Sequence, residues 1–150
     1  MMPRRIAYLV PLAMLYPLAY ADTTLHVYGA WLREAPPGAS VLAAYLTVEN
    51  PGTKTETLVS VSSPDFGAGE IHVTEIKDGT ASMTRLTSMA IPAHGRQVLA
   101  PSGTHLMLMR PRRALHAGDS VTLRLRFKSG KTLSTPAAVV RTESAPNHQH

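Results

Sequence analysis

Apolar and polar residues alternate in short runs between residues 25 and 140, and turn-forming residues separate the runs. Alternation with a period of two is typical of strands that bury one face and expose the other. The pattern predicts about nine short strands and no helix. The predicted strands span residues 25–31, 41–49, 55–62, 70–77, 81–89, 97–100, 104–110, 121–127 and 132–140. We therefore expect an all-β domain, either a sandwich or a small barrel.

The start of the chain has a different pattern and predicts an export signal. Arg4 and Arg5 precede an apolar stretch over residues 6–20, and Ala19-Tyr20-Ala21 forms a small-x-small cleavage site. The stretch is shorter than the ~20 residues of a spanning helix, and no cysteine is present to carry a lipid anchor. We expect a cleaved secretory signal peptide over 1–21, one β domain over 22–143 and a flexible tail over 144–150, with no membrane insertion after cleavage.

Charge and composition narrow the functional classes. The formal net charge is +5 at pH 7, and the tightest basic cluster, Arg110, Arg112 and Arg113, lacks the interleaved aromatic residues of a single-strand nucleic-acid surface. The absence of cysteine excludes disulfides and thiolate metal sites. No Ser/His/Asp or paired-carboxylate arrangement stands out, so we expect neither an enzyme nor a nucleic-acid partner. Four carboxylates are interpreted as ordinary solvated charges: Asp65, Glu70, Glu75 and Asp78.

Two histidines and two methionines form the candidate site, namely His72, Met83, His105 and Met107. Ten residues separate His72 from Met83, and twenty-one separate Met83 from His105. Thioether and neutral imidazole donors make a soft ligand set, which suits Cu(I) better than Mg(II), Ca(II) or a structural Zn(II). Blue-copper electron-transfer sites depend on a thiolate, which is missing here, so a carrier is favoured over a redox enzyme. We predict that these four residues bind Cu(I).

A hairpin turn at Asp78-Gly79 would bring the first two candidates together. A two-residue loop at this turn places Thr74 opposite Met83. His72 then lies opposite Arg85 and is a diagonal neighbour of Met83 on one face, within ~7–8 Å at the backbone. A slip of one residue would put the two candidates on opposite faces.

The second pair lies within one predicted strand. Residues two apart share a face, so His105 and Met107 project together, and Met109 is a further neighbour. The sequence leaves open whether this strand lies beside the hairpin.

Methionine is also a common core residue. A metal-free structural or adhesion module of the cell envelope is therefore one alternative, and a copper storage or tolerance protein is another.

The spacing of the four candidates and several flanking segments resemble the periplasmic copper chaperone family often called PCuAC. The parts of the chain that match are Ala30-Trp31, Pro36-Pro37-Gly38, residues 43–50, residues 58–64, Glu70-Ile71-His72, residues 105–109, Leu115 and Gly118-Asp119-Ser120-Val121. The resemblance covers nearly all of residues 25–140. It implies a cupredoxin-like Greek-key β-barrel or sandwich, with a surface Cu(I) site made by the four candidates.

The resemblance also implies a location and partners. A periplasmic protein of this family would deliver copper in cytochrome c oxidase assembly, to a copper-accepting respiratory oxidase subunit or a Sco-type thiol protein. We expect a monomer. Some members bind Cu(II) in a His/Met-rich C-terminal extension, for which His148 and His150 are the candidates here. An auxiliary methionine beside the first histidine is missing, since Val73-Thr74-Glu75 follows His72.

Overall fold

The computed structural model describes residues 23–141. Every helix or strand position within this range belongs to a β-strand. The strands are β1 (His26–Arg33), β2 (Val41–Asn50), β3 (Glu56–Ser62), β4 (Phe66–Lys77), β5 (Thr80–Leu86), β6 (Met89–Ile91), β7 (Gly95–Leu99), β8 (Thr104–Pro111), β9 (Ser120–Phe127) and β10 (Thr132–Val140). The prediction of an all-β domain is confirmed. The predicted signal peptide and tail, with His148 and His150, lie outside the described residues. In the described part of the chain, no helix is long and apolar enough to cross a membrane.

One predicted strand is divided in the structure. The run over 81–89 forms β5, which pairs with β4, and then β6, which pairs with β3. Thr87 and Ser88 lie between them, and the burial changes from almost fully exposed in β5 to buried at Met89 and Ile91. The divided run raises the number of strands from about nine to ten.

The strands form one hydrogen-bonded path in the order β5-β4-β8-β2-β1-β10-β9-β3-β6, with β7 paired to β2. Most neighbours are antiparallel, and β1 and β10 are parallel. The path has two ends, so the sheet is not closed into a barrel. Only Thr87 and Ser88 separate β5 at one end from β6 at the other. The sheet therefore bends back on itself, and its two halves enclose the core.

The core is one apolar cluster between the two halves of the sheet. Strand β9 shows the pattern most clearly, because Val121, Leu123, Leu125 and Phe127 are buried while the residues between them are exposed. On the other half, Ile71 of β4 and Leu106 and Leu108 of β8 point inward. Their alternate neighbours consequently lie on the outer face, where the candidate ligands are found.

The β4–β5 hairpin has the predicted geometry. Asp78 and Gly79 both have positive φ, 50° and 75°, which is the requirement of a two-residue type I′ turn. Lys77 pairs with Thr80, Thr74 with Met83 and His72 with Arg85. The predicted register is confirmed.

Candidate metal centre

The two candidate histidines are direct cross-strand partners. Strand β8 lies beside β4, and the antiparallel register pairs His72 with His105. This pairing settles the question that the sequence left open. The ring centroids are 6.1 Å apart. With a metal–nitrogen bond of about 2 Å, each centroid would lie about 3.2 Å from a shared ion, so two rings on one ion are separated by at most about 6.4 Å. The observed separation lies within this limit.

Hydrogen bonding fixes which nitrogen of His105 is available. Its Nδ1 lies 2.9 Å from the carbonyl oxygen of Gly103, which can only accept, so Nδ1 carries the proton. The lone pair of a neutral ring is then on Nε2. Metal-ligating histidines commonly donate their second ring N–H to a carbonyl or carboxylate in this way. The side chain is only 5% exposed, so its orientation is well restrained.

His72 is held by a carboxylate. Its Nε2 is 2.8 Å from Oε2 of Glu70, and Nη1 of Arg85 is 3.4 Å from Oε1 of the same carboxylate. The hydrogen bond from His72 is the largest effect that lowers the pKa of Glu70 below its ordinary value, and the charge of Arg85 adds to it. The interpretation of Glu70 as an ordinary solvated charge is therefore wrong. Nδ1 of His72 is buried and has no hydrogen-bond partner within the described residues.

The two methionines lie on the same face as the two rings. Met107 is two residues beyond His105 on β8, opposite Glu70, and is half-buried. Met83 lies on β5, opposite Thr74 and diagonal to His72, and is 58% exposed. The fold thus places the two imidazoles in the middle of the group, with one methionine along β8 and the other on the outermost strand.

Met109 continues the same face of β8. It is half-buried and lies opposite Ala68 on β4 and Val41 on β2. It is two residues further from His105 than Met107 is. This position makes it a neighbour of the candidate site on the side away from Met83.

Two aromatic side chains pack near His105 on the side of β8 that faces away from β4. Tyr45 is buried, and its ring centroid lies 6.4 Å from that of His105. Trp31 of β1 packs on Tyr45, with centroids 4.5 Å apart. These packed rings restrict the movement of His105. Sequence reasoning placed both aromatic residues in strands but gave neither a role at the site.

A site built from histidine and carboxylates alone is not present among residues 23–141, where no three His, Asp or Glu side chains converge as a metal-binding group. The methionine sulfurs on the same face are candidates for further ligands of a metal at the His72–His105 pair. Thioether sulfur discriminates against hard ions and in favour of Cu(I). The donor set is consequently soft and carries no formal charge.

A cleft of the described chain lies elsewhere. It has a volume of about 1010 Å³ and is bounded by the loop after β1 and by the segment after β8. Arg110, Arg112 and Arg113 line it, and Arg113 is tied to Asp65 at 2.8 Å. Arg110 is five residues beyond His105, or about 17 Å along an extended strand. The cleft is therefore separate from the candidate metal centre.

Sequence comparison assigns the chain to a family. The sequence model of the LpqE-like putative lipoproteins matches residues 25–139. A putative lipoprotein of Leifsonia xyli subsp. xyli is 35% identical over 116 residues, which are 77% of this chain and 68% of that protein. An uncharacterized protein of Rickettsia prowazekii is 29% identical over 111 residues, which are 71% of this chain and 61% of that protein.

Solved structures show the same fold. The copper-bound PCuAC domain from PmoF2 superposes with a TM-score of 0.67 at 22% identity, covering 81% of this chain and 96% of that domain. The solution structure of CuI-DR1885 from Deinococcus radiodurans superposes with a TM-score of 0.64 at 31% identity, covering 83% of each chain. The chain therefore belongs to the LpqE-like family, of the PCuAC type, and has the cupredoxin-like fold of PCuAC domains.

Proposed function

We propose that the protein is a copper chaperone of the cell envelope that carries Cu(I) on His72, Met83, His105 and Met107. The observation that carries the proposal is the direct cross-strand pairing of His72 with His105, with a methionine on each side of the pair on the same face. Similarity to a copper-bound PCuAC domain and to CuI-DR1885 supports copper as the cargo.

The chemistry of the donors favours the reduced ion. Two imidazoles and two thioethers add no negative charge, and thioethers bind Cu(I) well and Cu(II) poorly. Without a thiolate the site lacks the ligand on which blue-copper electron transfer depends. These properties suit transport of Cu(I) better than cycling between oxidation states.

The exposure of Met83 suits release of the cargo. It lies on β5, the last strand on its side of the sheet, and six of the seven β5 residues are exposed. An acceptor ligand could therefore approach the ion from this side and replace the thioether first. The buried His105, which is fixed by Gly103 and Tyr45, would be the last ligand to leave.

The proposed recipient is a protein of respiratory oxidase assembly. Either a copper-accepting oxidase subunit or a Sco-type thiol protein would offer ligands that compete for Cu(I). Export by the predicted leader would place the chaperone in the periplasm, where such acceptors are found. Binding of Cu(II) by His148 and His150 is a separate prediction about the tail.

X-ray absorption spectroscopy of the Cu(I)-loaded protein tests the ligand set. The proposal predicts a first shell of two nitrogen and two sulfur atoms, and the loss of one sulfur contribution in Met83→Leu. Met89→Leu is the matched control, because Met89 is a buried core residue. A shell of nitrogen and oxygen only would contradict the proposed site.

A further inference from the structure

We propose that Glu70 is a positioning residue that selects Nδ1 of His72 as the atom that binds copper. The inference rests on the proposed function, since it concerns how one ligand of that site is presented. Glu70 lies two residues before His72 on β4, so both side chains project from the same face. Its carboxylate is 2.8 Å from Nε2 of His72.

The hydrogen bond determines the tautomer. A carboxylate can only accept, so Nε2 of His72 must carry the proton. A neutral imidazole has one ring proton, which leaves the lone pair on Nδ1. Nδ1 is buried and accepts no hydrogen bond from the described residues. A buried acceptor without a partner is costly, and a metal ion would satisfy it.

Neighbouring strands hold the carboxylate in place. Arg85 is the cross-strand partner of His72 on β5, and its guanidinium is 3.4 Å from the second oxygen of Glu70. Met107 is the partner of Glu70 on β8. The carboxylate therefore lies between a proposed thioether ligand and a cation, and both of its oxygens are occupied. Its side chain is 23% exposed, whereas that of Arg85 is 66% exposed.

The two histidines present different ring nitrogens to a metal ion. His105 donates from Nδ1 to a backbone carbonyl and presents Nε2, whereas His72 donates from Nε2 to a side chain and presents Nδ1. The backbone contact of His105 cannot be removed by a side-chain substitution at Gly103. The contact of His72 can be removed at Glu70 alone. Loss of such an outer partner typically weakens metal binding about 10–100-fold.

Nitrogen-15 NMR of the imidazoles in the whole protein tests the assignment. In the copper-free protein we expect His72 as the Nε2–H tautomer, and in Glu70→Ala a mixture of the two tautomers. On addition of Cu(I) to the wild type, the resonance of Nδ1 should shift while Nε2 keeps its proton. A protonated Nδ1 with copper on Nε2 would overturn the inference, because copper would then displace Glu70.

Cu(I) affinity provides the second measurement. We expect the Kd of Glu70→Ala to rise about 10–100-fold, and Glu70→Gln, whose amide oxygen can still accept from Nε2, to recover part of that loss. Glu75→Gln removes an exposed carboxylate from the same strand and serves as the matched control, with an unchanged Kd. Equal affinities in wild type and Glu70→Ala would overturn the inference and leave the copper chaperone intact. Failure of the wild type to bind Cu(I) would instead reject the proposed function.

Discussion

His72 and His105 face each other across β4 and β8, with their ring centroids 6.1 Å apart. The pairing depends on contacts between segments that are far apart in the sequence. It brings together one residue of a hairpin and one residue of a strand that β2 holds from the other side. The hairpin alone could place His72 near Met83, but only the sheet can complete the four-residue group.

The two ends of the site should differ in their effect on stability. His105 is buried and donates to Gly103, so His105→Ala should lower the free energy of unfolding of the copper-free protein by about 1–3 kcal/mol. Met83 is exposed, and Met83→Leu should change the free energy of unfolding by less than about 0.5 kcal/mol. Urea denaturation of the two variants measures the difference. An equal loss in both would contradict the assignment of Met83 to the surface.

Copper should stabilise the folded protein by linkage. Free Cu(I) at 100 times its Kd should add about 2.7 kcal/mol to the free energy of unfolding. Anaerobic thermal unfolding with and without Cu(I) measures this as a rise in Tm. The rise should be smaller in Met107→Leu at the same free copper, because that variant lacks one donor. A Tm that does not respond to copper would favour the metal-free envelope module.

Gly69 should be sensitive to a single added methyl group. A Cβ at this position would lie 2.6 Å from the carbonyl oxygen of Val61, which is backbone and cannot turn aside. We expect Gly69→Ala to cost about 1–3 kcal/mol of stability. Gly103→Ala is the control, since its Cβ would meet nothing closer than 3.7 Å. Similar stabilities for the two variants would show that β3 and β4 are not in close contact at Gly69.

Stability should fall in acid, partly through Glu34. Its pKa is held below the ordinary value of 4.5, first by the hydrogen bond from the Ala117 amide and then by that from Arg141. Ionised Glu34 therefore adds to the free energy of unfolding at pH values above its pKa in the unfolded chain. This stabilisation is lost as the pH falls through its pKa in the folded protein. Glu34→Gln should flatten the pH dependence of the free energy of unfolding below about pH 5. Glu75→Gln serves as the control. If Glu34→Gln left the pH dependence of the free energy of unfolding unchanged, the result would contradict these contacts of Glu34.

Local signals in the sequence were sufficient for part of the site. Alternation predicted the strands, and Asp78-Gly79 predicted a hairpin turn whose register follows from a two-residue loop. Residues two apart on a strand share a face, so the pairing of His105 with Met107 on one face was also local. These features depend on backbone geometry over a few residues.

Other features depend on contacts between distant segments. The neighbourhood of β4 and β8 follows from the arrangement of the whole sheet, which no single turn determines. The division at Thr87 and Ser88 arises because β6 joins β3 at the other end of the path. The role of Glu70 was missed, although its position two residues before His72 was a usable signal that the two side chains share a face.

Anaerobic titration with Cu(I) against a chromophoric competitor tests the central claim most directly. The wild type should bind one tight equivalent, and the Met83→Leu/Met107→Leu variant should lose it, because leucine keeps the size of methionine but removes the sulfur donor. Met89→Leu should bind as the wild type does. Equal binding by the double variant and the wild type would contradict the proposed site.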